Sequence, residues 1–296
     1  NLLARHNASR GIKNTHPMLM MERDGATRAL RLLRAGTALT LTAVLDIQSG
    51  PAYESYNVIG EIRGERRPEE VVVIGAHLDS WDLGTGALDN GGNVVMVIDI
   101  ARQIRRLGIR PARTIRFALW NGEEQNLLGS RAYTERHAAE LDRHVMASSY
   151  DIGTGRITGY FTGGRAELIP VLEQALAPVA GLGPFTHVNI PIVGTDNYDF
   201  MMQGVANLVA NQESANYGPN YHARSDEFGR ADLRQLRLNS AIAAAVTWGF
   251  ATLDLSLPRQ TAAQVDSMVR HSDLGEQMRS FNVYEAWEAG DRGLRP

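Results

Sequence analysis

Two continuously apolar runs, "VVVIGA" from Val71 and "TIRFALW" from Thr114, flank one stretch with helical spacing, "NVVMVIDIARQIRRLG" from Asn93 to Gly108. A strand without polar alternation is apolar on both faces, so each face needs cover. The intervening helix supplies part of that cover, and Gly108 offers the left-handed stop at its end. A strand, loop, helix, strand unit restricts the chain to an α/β architecture. The alternation continues with a helix from about Leu127 to Leu141, the strand "HVMASSYDI", and a helix from about Ala166 to Ala177. Strands near Thr186–Ile190 and Val205–Ala210 and a long helix from about Leu233 to Leu253 follow. Upstream, "TALTLTAVLDI" (Thr37 to Ile47) and "SYNVIGEIRG" (Ser55 to Gly64) alternate apolar and polar residues, which predicts an antiparallel pair with one solvated face.

Composition narrows the chemistry. The 296 residues contain no cysteine, so disulfides, thiolate metal ligands and cysteine nucleophiles are excluded, and a metal must be held by His and carboxylates. A formal charge of −3 gives no general attraction to nucleic acid or to anionic membranes. No apolar stretch approaches the roughly 18 residues of a spanning helix. The chain begins at Asn1 rather than Met, which leaves a processed leader and export open.

"GAHLDSWDLGTGALDNGGN", from Gly75 to Asn93, places one His and three Asp just past a strand, where carboxylates beside an imidazole are costly unless a positive charge holds them together. In its His-x-Asp, the Asp79 carboxylate can receive one ring N–H and orient the other His77 nitrogen toward a metal. Asp89 precedes "NGGN", whose glycines let the chain turn tightly back toward His77. "WNGEEQNLLGS" sets Glu123 beside Glu124 beyond another strand, so one can bind metal while the other faces substrate. Asp151 in "SYDIGTGRITGY" follows a third strand, and His222 in "NYHARSDEF" lies on a Gly/Pro/Asn-rich loop with Asp226 nearby. Alone, each is an ordinary turn or cap residue. Together, on strand-end loops of one sheet, His77, Asp89, Glu124, Asp151 and His222, with Glu123 to spare, suit two divalent ions bridged by one carboxylate.

In that order these residues resemble the co-catalytic zinc exopeptidases, the family of bacterial aminopeptidases, glutamate carboxypeptidase and carboxypeptidase Q. "GAHLDSWDLGTGALDNGGN", "NGEEQNLLGS" and "DIGTGRITGY" are similar to the carboxypeptidase Q branch, from about Met18 to Leu253. The resemblance implies a three-layer α/β/α fold with a mixed, mostly parallel sheet flanked by helices. It implies two zinc ions per chain: His77 and Asp151 on one, Glu124 and His222 on the other, Asp89 bridging, and a cis Asp89–Asn90 peptide. Glu123 would be the general base, with Asp79 as a second catalytic residue. "GTDNYDF" resembles that branch's substrate-side loop, so Asp196 and Asn197, with Tyr221, are the substrate-binding candidates.

The expected substrates are short peptides or dipeptides, the location extracytoplasmic, and a homodimer is left open. The expected catalytic domain spans 36–257. Residues 1–35 are expected to be packing helices or the remnant of a truncated or missing domain, and 258–296 a C-terminal helical tail. Two other readings compete. A glutaminyl cyclase-like acyltransferase would work with one zinc, against which stand both His77 and Asp151. A non-catalytic binding module on a peptidase scaffold would be expected to have lost ligands.

Overall fold

A computed structural model describes residues 2–4, 19–21, 23–44, 46, 50–81 and 83–295, in two compact units, Asn1–Ser55 and Tyr56–Pro296. In the first unit, β1 (Leu2–Ala4) pairs antiparallel with β2 (Leu19–Met21), and α1 spans Arg23–Arg34. Residues 5–18 and 22, on which part of the helical reading of this segment rests, lie outside the described residues.

The second unit is built on β4 (Arg67–His77), the strand of the "VVVI" run. Val72, Ile74 and Ala76 enter one apolar core, and Val71 and Val73 enter another on the opposite face. Because strand side chains alternate in direction, a run apolar at every position fits a strand covered on both sides. β5 (Arg113–Trp120) repeats the division, with Ile115, Phe117 and Leu119 on the first side and Ala118 and Trp120 on the second. Each fully buried Val or Ile contributes about 1.5–3 kcal/mol. Gly75 is required where it stands, because a Cβ would strike the Trp120 indole.

Four further strands complete a mixed six-stranded sheet: β3 (Val58–Ile62), β6 (His144–Ser149), β7 (Ile157–Phe161) and β8 (Asn207–Gln212), in the order β3-β5-β4-β6-β8-β7. β5, β4, β6 and β8 run parallel; β3 and β7 are antiparallel edges. α2 (Gly92–Leu107), α4 (Leu168–Leu176) and α7 (Leu233–Thr252) cover the first face, and α3 (Leu128–Arg136) and α5 (Asn197–Met202) the second. The sequence marks these ends. α2 stops at Gly108 with φ 64°, and Asp232 caps α7 by accepting from Arg234 N and Gln235 N at 3.0 and 2.9 Å. α6 (Tyr217–Asn220) is a single turn, and α8 (Ala262–His271), α9 (Leu274–Ser280) and α10 (Tyr284–Glu288) follow α7. No helix among the described residues is long and apolar enough to cross a membrane.

Two strand expectations need correction. β3 pairs with β5, not with Thr37–Ile47. Residues 37–44 and 46 carry no strand, and Leu45 and Ile47 lie outside the described residues. Thr186–Ile190 is not a strand but a single bridge, Val188 to Phe161, beside the edge strand β7, for which the sequence reading names no strand. Glycine-rich context hid β7: Gly159, with φ 154°, stands at a register shift between β7 and β8.

Candidate metal centre

The parallel strands release their loops at one sheet edge. β4 ends on His77, paired with Trp120 at the end of β5, and Gly75 pairs with Ser149 at the end of β6. The loops beyond bring His77, Glu123, Glu124 and Asp151 together. Asp89 sits in an irregular turn before α2, and its peptide to Asn90 is cis. His222, with φ 53°, comes in from the long loop after β8.

These side chains form two halves around one carboxylate. Asp89 Oδ1 lies 3.1 Å from His77 Nε2, and Asp89 Oδ2 lies 3.3 Å from His222 Nε2. On the first side Asp151 Oδ1 is also 3.1 Å from His77 Nε2; on the second, Glu124 Oε2 is 2.9 Å from His222 Nε2. Glu123 Oε2 stands 4.0 Å from His77 Nε2. Its side chain is 12% exposed against 5% for Glu124, so Glu123 is the more open of the neighbouring pair.

The tautomer of His77 makes this arrangement informative. Its Nδ1 lies 2.9 Å from the Asp79 main-chain carbonyl, which can only accept, so Nδ1 carries the proton. In the neutral ring Nε2 then offers a lone pair, yet it faces two carboxylate oxygens. A positive charge there, either a second ring proton or a cation held between the groups, makes the contact favourable. Electrostatics point the same way. Burial pulls the His77 pKa down, but Asp151 and Glu123 overcome this and hold it well above the ordinary value. Burial likewise opposes a charged His222, yet Asp89 and Glu124 lift it to about 9. Burial raises Glu123 and Asp151, Glu123 further through Asp151, Asp196 and Glu124. Asp89 alone is pulled below its usual range, to about 2, because bonds from His222 and His77 outweigh its burial. An excess of buried carboxylates over imidazoles fits two divalent cations, with hard nitrogen and oxygen donors throughout. Glu124 Oε1, buried and without a hydrogen-bond partner, is a ready ligand atom. His77, Asp89 and Glu124 form one convergent triad, and His77, Glu123 and Asp151 another.

Asp79 is placed differently from the sequence reading. The ring proton of His77 goes to its carbonyl, and its carboxylate is 3.8 Å from Nδ1. The carboxylate accepts instead from Glu123 N and Glu124 N, at 3.1 and 3.2 Å, and so sets the glutamate pair. Asn197 is also corrected. Its side chain is fully enclosed, and its amide nitrogen donates to Ile192 O and Asn207 Oδ1, while its Oδ1 has no hydrogen-bond partner, so it does not line an open surface. Asp196 is enclosed too, but neither carboxylate oxygen has a hydrogen-bond donor, and burial lifts its pKa to about 8. Tyr221 is half exposed and stacks on His222 at 3.7 Å between centroids.

Sequence reasoning missed the supports. Asp226 accepts from Leu88 N and Asp89 N, at 2.6 and 3.0 Å, and fixes the turn that aims Asp89. Asn90 donates to Tyr150 O, and Asn93 to Asn90 Oδ1 and Gly153 O, tying the Asp89 turn to the Asp151 loop. Trp81 closes on His222 at 4.9 Å, opposite in sequence to the Tyr221 contact. The available signal was Asp226 itself, four residues after His222.

The model of peptidase family M28 matches residues 57–247. The chain belongs to peptidase family M28. Among relatives, it is 30% identical over 236 residues to carboxypeptidase Q of Rattus norvegicus, covering 80% of this chain and 50% of that protein. It therefore spans about half the length of the curated relatives it matches. Among solved structures, a peptidase M28 precursor from Shewanella amazonensis aligns with a TM-score of 0.65 and 34% identity, covering 70% of this chain and 47% of that one. A zinc aminopeptidase from Bacillus subtilis shares the fold, with a TM-score of 0.57, 20% identity and coverage of 69% and 52%. The mixed sheet flanked by helices is thus the M28 architecture, as the motifs implied.

Proposed function

We propose that this M28 member is a dinuclear zinc exopeptidase that hydrolyses short peptides. The observation that carries the proposal is the convergence of two imidazoles on one carboxylate: Asp89 Oδ1 lies 3.1 Å from His77 Nε2 and Asp89 Oδ2 3.3 Å from His222 Nε2, with Asp151 completing the first half and Glu124 the second. His77 and Asp151 would hold one ion, His222 and Glu124 the other, and Asp89 would serve both. When bound, such a pair supplies Lewis acidity toward the scissile carbonyl and the attacking water.

Glu123 is the general base in this reading. It stands 4.0 Å from His77 whereas Glu124 is 2.9 Å from His222, and burial and neighbouring carboxylates raise its proton affinity. It takes the proton of the attacking water and returns it to the departing amine. Asp79 keeps Glu123 and Glu124 at fixed headings through their backbone N–H groups. Tyr221 is the substrate-side group: its ring borders His222 at the half-exposed rim, whereas Asp196 is as enclosed as Asn197.

The test is a panel of substrates with the zinc-loaded protein. Unblocked dipeptides and aminoacyl amides should be cleaved, and doubly blocked peptides should not; internal cleavage of a blocked peptide would overturn the exopeptidase assignment. The supports carry a separate expectation. Asp226→Ala removes both acceptors that hold the Asp89 turn, so zinc affinity should fall roughly 10–100-fold, measured by competition with a chelating dye, with the sheet intact by circular dichroism.

A further inference from the structure

Residues 258–296 lie beyond the stretch that matches the family model, yet they reach the support of the metal centre. Val269, Met278 and Trp287 of the last three helices share one apolar cluster with Leu127, Tyr198 and Met202. Past α10 the chain delivers Arg292, whose side chain is 4% exposed, to Asp199, which is 2% exposed. Nε and Nη2 donate to Asp199 Oδ1 and Oδ2, both at 2.8 Å, and Nη1 donates to Asn126 O at 3.3 Å.

The two partners belong to two site segments. Asn126 is two residues beyond Glu124, and Asp199 lies in α5, three residues beyond Asp196. The loop at Asn126 carries an unfavourable backbone. Asn126 has φ 81° and Leu127 φ 61°, a left-handed conformation rare outside glycine and least suited to a bulky leucine. Arg292 grips the carbonyl of the first, and the apolar cluster buries the side chain of the second. The tail also fixes the approach to Asp196, where Gln277 accepts from Val193 N at 2.8 Å and donates to Pro191 O at 3.3 Å.

We propose that Arg292 is a positioning residue, through which the C-terminal segment locks the Glu123–Glu124 loop in register with α5. The role of those glutamates rests on the peptidase reading; the lock does not. Hydrogen exchange tests it directly, because Asn126 N and Leu127 N donate to Glu123 O and Leu128 N to Gly122 O, all at 2.9 Å. Arg292→Lys keeps the charge and loses the two-pronged grip. The pair Arg292→Met with Asp199→Leu removes both charges, so no uncompensated ion remains buried to unfold the protein.

Both variants should exchange the amides of residues 126–128 about 10-fold faster or more, with β4 amides unchanged. In the zinc-loaded enzyme kcat should fall about 10–100-fold with KM within about twofold, the signature of displaced catalytic groups rather than lost binding. Loosening of the loop in a protein without peptidase activity would retire the peptidase reading and leave the lock standing. Unchanged protection at 126–128 in both variants would overturn the lock, and so would a uniform rise that includes β4, which would mark Arg292 as a general stabiliser.

Discussion

Glu123→Gln is expected to lower kcat by roughly 10²–10⁴ while zinc content stays at the wild-type level. The amide keeps the shape of the side chain and its neighbours but cannot take a proton. Glu124→Gln should behave differently: a neutral amide is a poorer ligand than a carboxylate, so zinc is lost first and excess zinc partly restores turnover. Metal content and kcat measured on both variants separate the roles. A Glu123→Gln protein that loses zinc, beside a Glu124→Gln protein that keeps it, would show the two glutamates reversed. The geometry favours the stated assignment, because Glu124 Oε2 lies 2.9 Å from His222 Nε2 whereas Glu123 Oε2 is 4.0 Å from the nearer imidazole.

Asp89→Ala should have the larger effect on metal. Its two oxygens face the two imidazoles, at 3.1 and 3.3 Å, so one substitution removes a ligand from both halves. Affinity at both sites should drop by more than about 10-fold, and activity should disappear at zinc concentrations that saturate the wild type. Asp151→Ala, in contrast, should weaken one half only. Titration with a chelating zinc indicator distinguishes the two patterns. Equal, single-site losses in both variants would show that Asp89 does not bridge.

The alternation of apolar strands with one glycine-stopped helix was enough to read the parallel centre of the sheet and the strand ends from which the site loops emerge. His77, Glu123, Glu124 and Asp151, at or just past those ends, were legible for that reason, and Asp89 and His222, on the loops that follow, through the residue types beside them. Their supports were not, because the partners are distant in sequence: Asp226 holds Leu88 N across 138 positions, and Arg292 reaches Asn126 across 166. Asp79 shows a finer failure. A His-x-Asp pattern carries no information on whether the ring proton goes to the carboxylate or to the carbonyl of the same residue, and here it goes to the carbonyl. Asn197 was read as substrate-facing from its motif, but its side chain is enclosed and two intramolecular acceptors occupy its amide nitrogen. The alternating Thr37–Ile47 run failed as a strand prediction because alternation specifies a half-buried surface, not which neighbour pairs with it.

The account stands on two zinc ions held around Asp89. Elemental analysis of protein saturated with zinc and freed of excess by gel filtration measures this directly. Two equivalents per chain are expected, both lost on chelation together with hydrolysis of dipeptides. A saturated stoichiometry of one would contradict the dinuclear centre and favour a single-zinc acyltransferase.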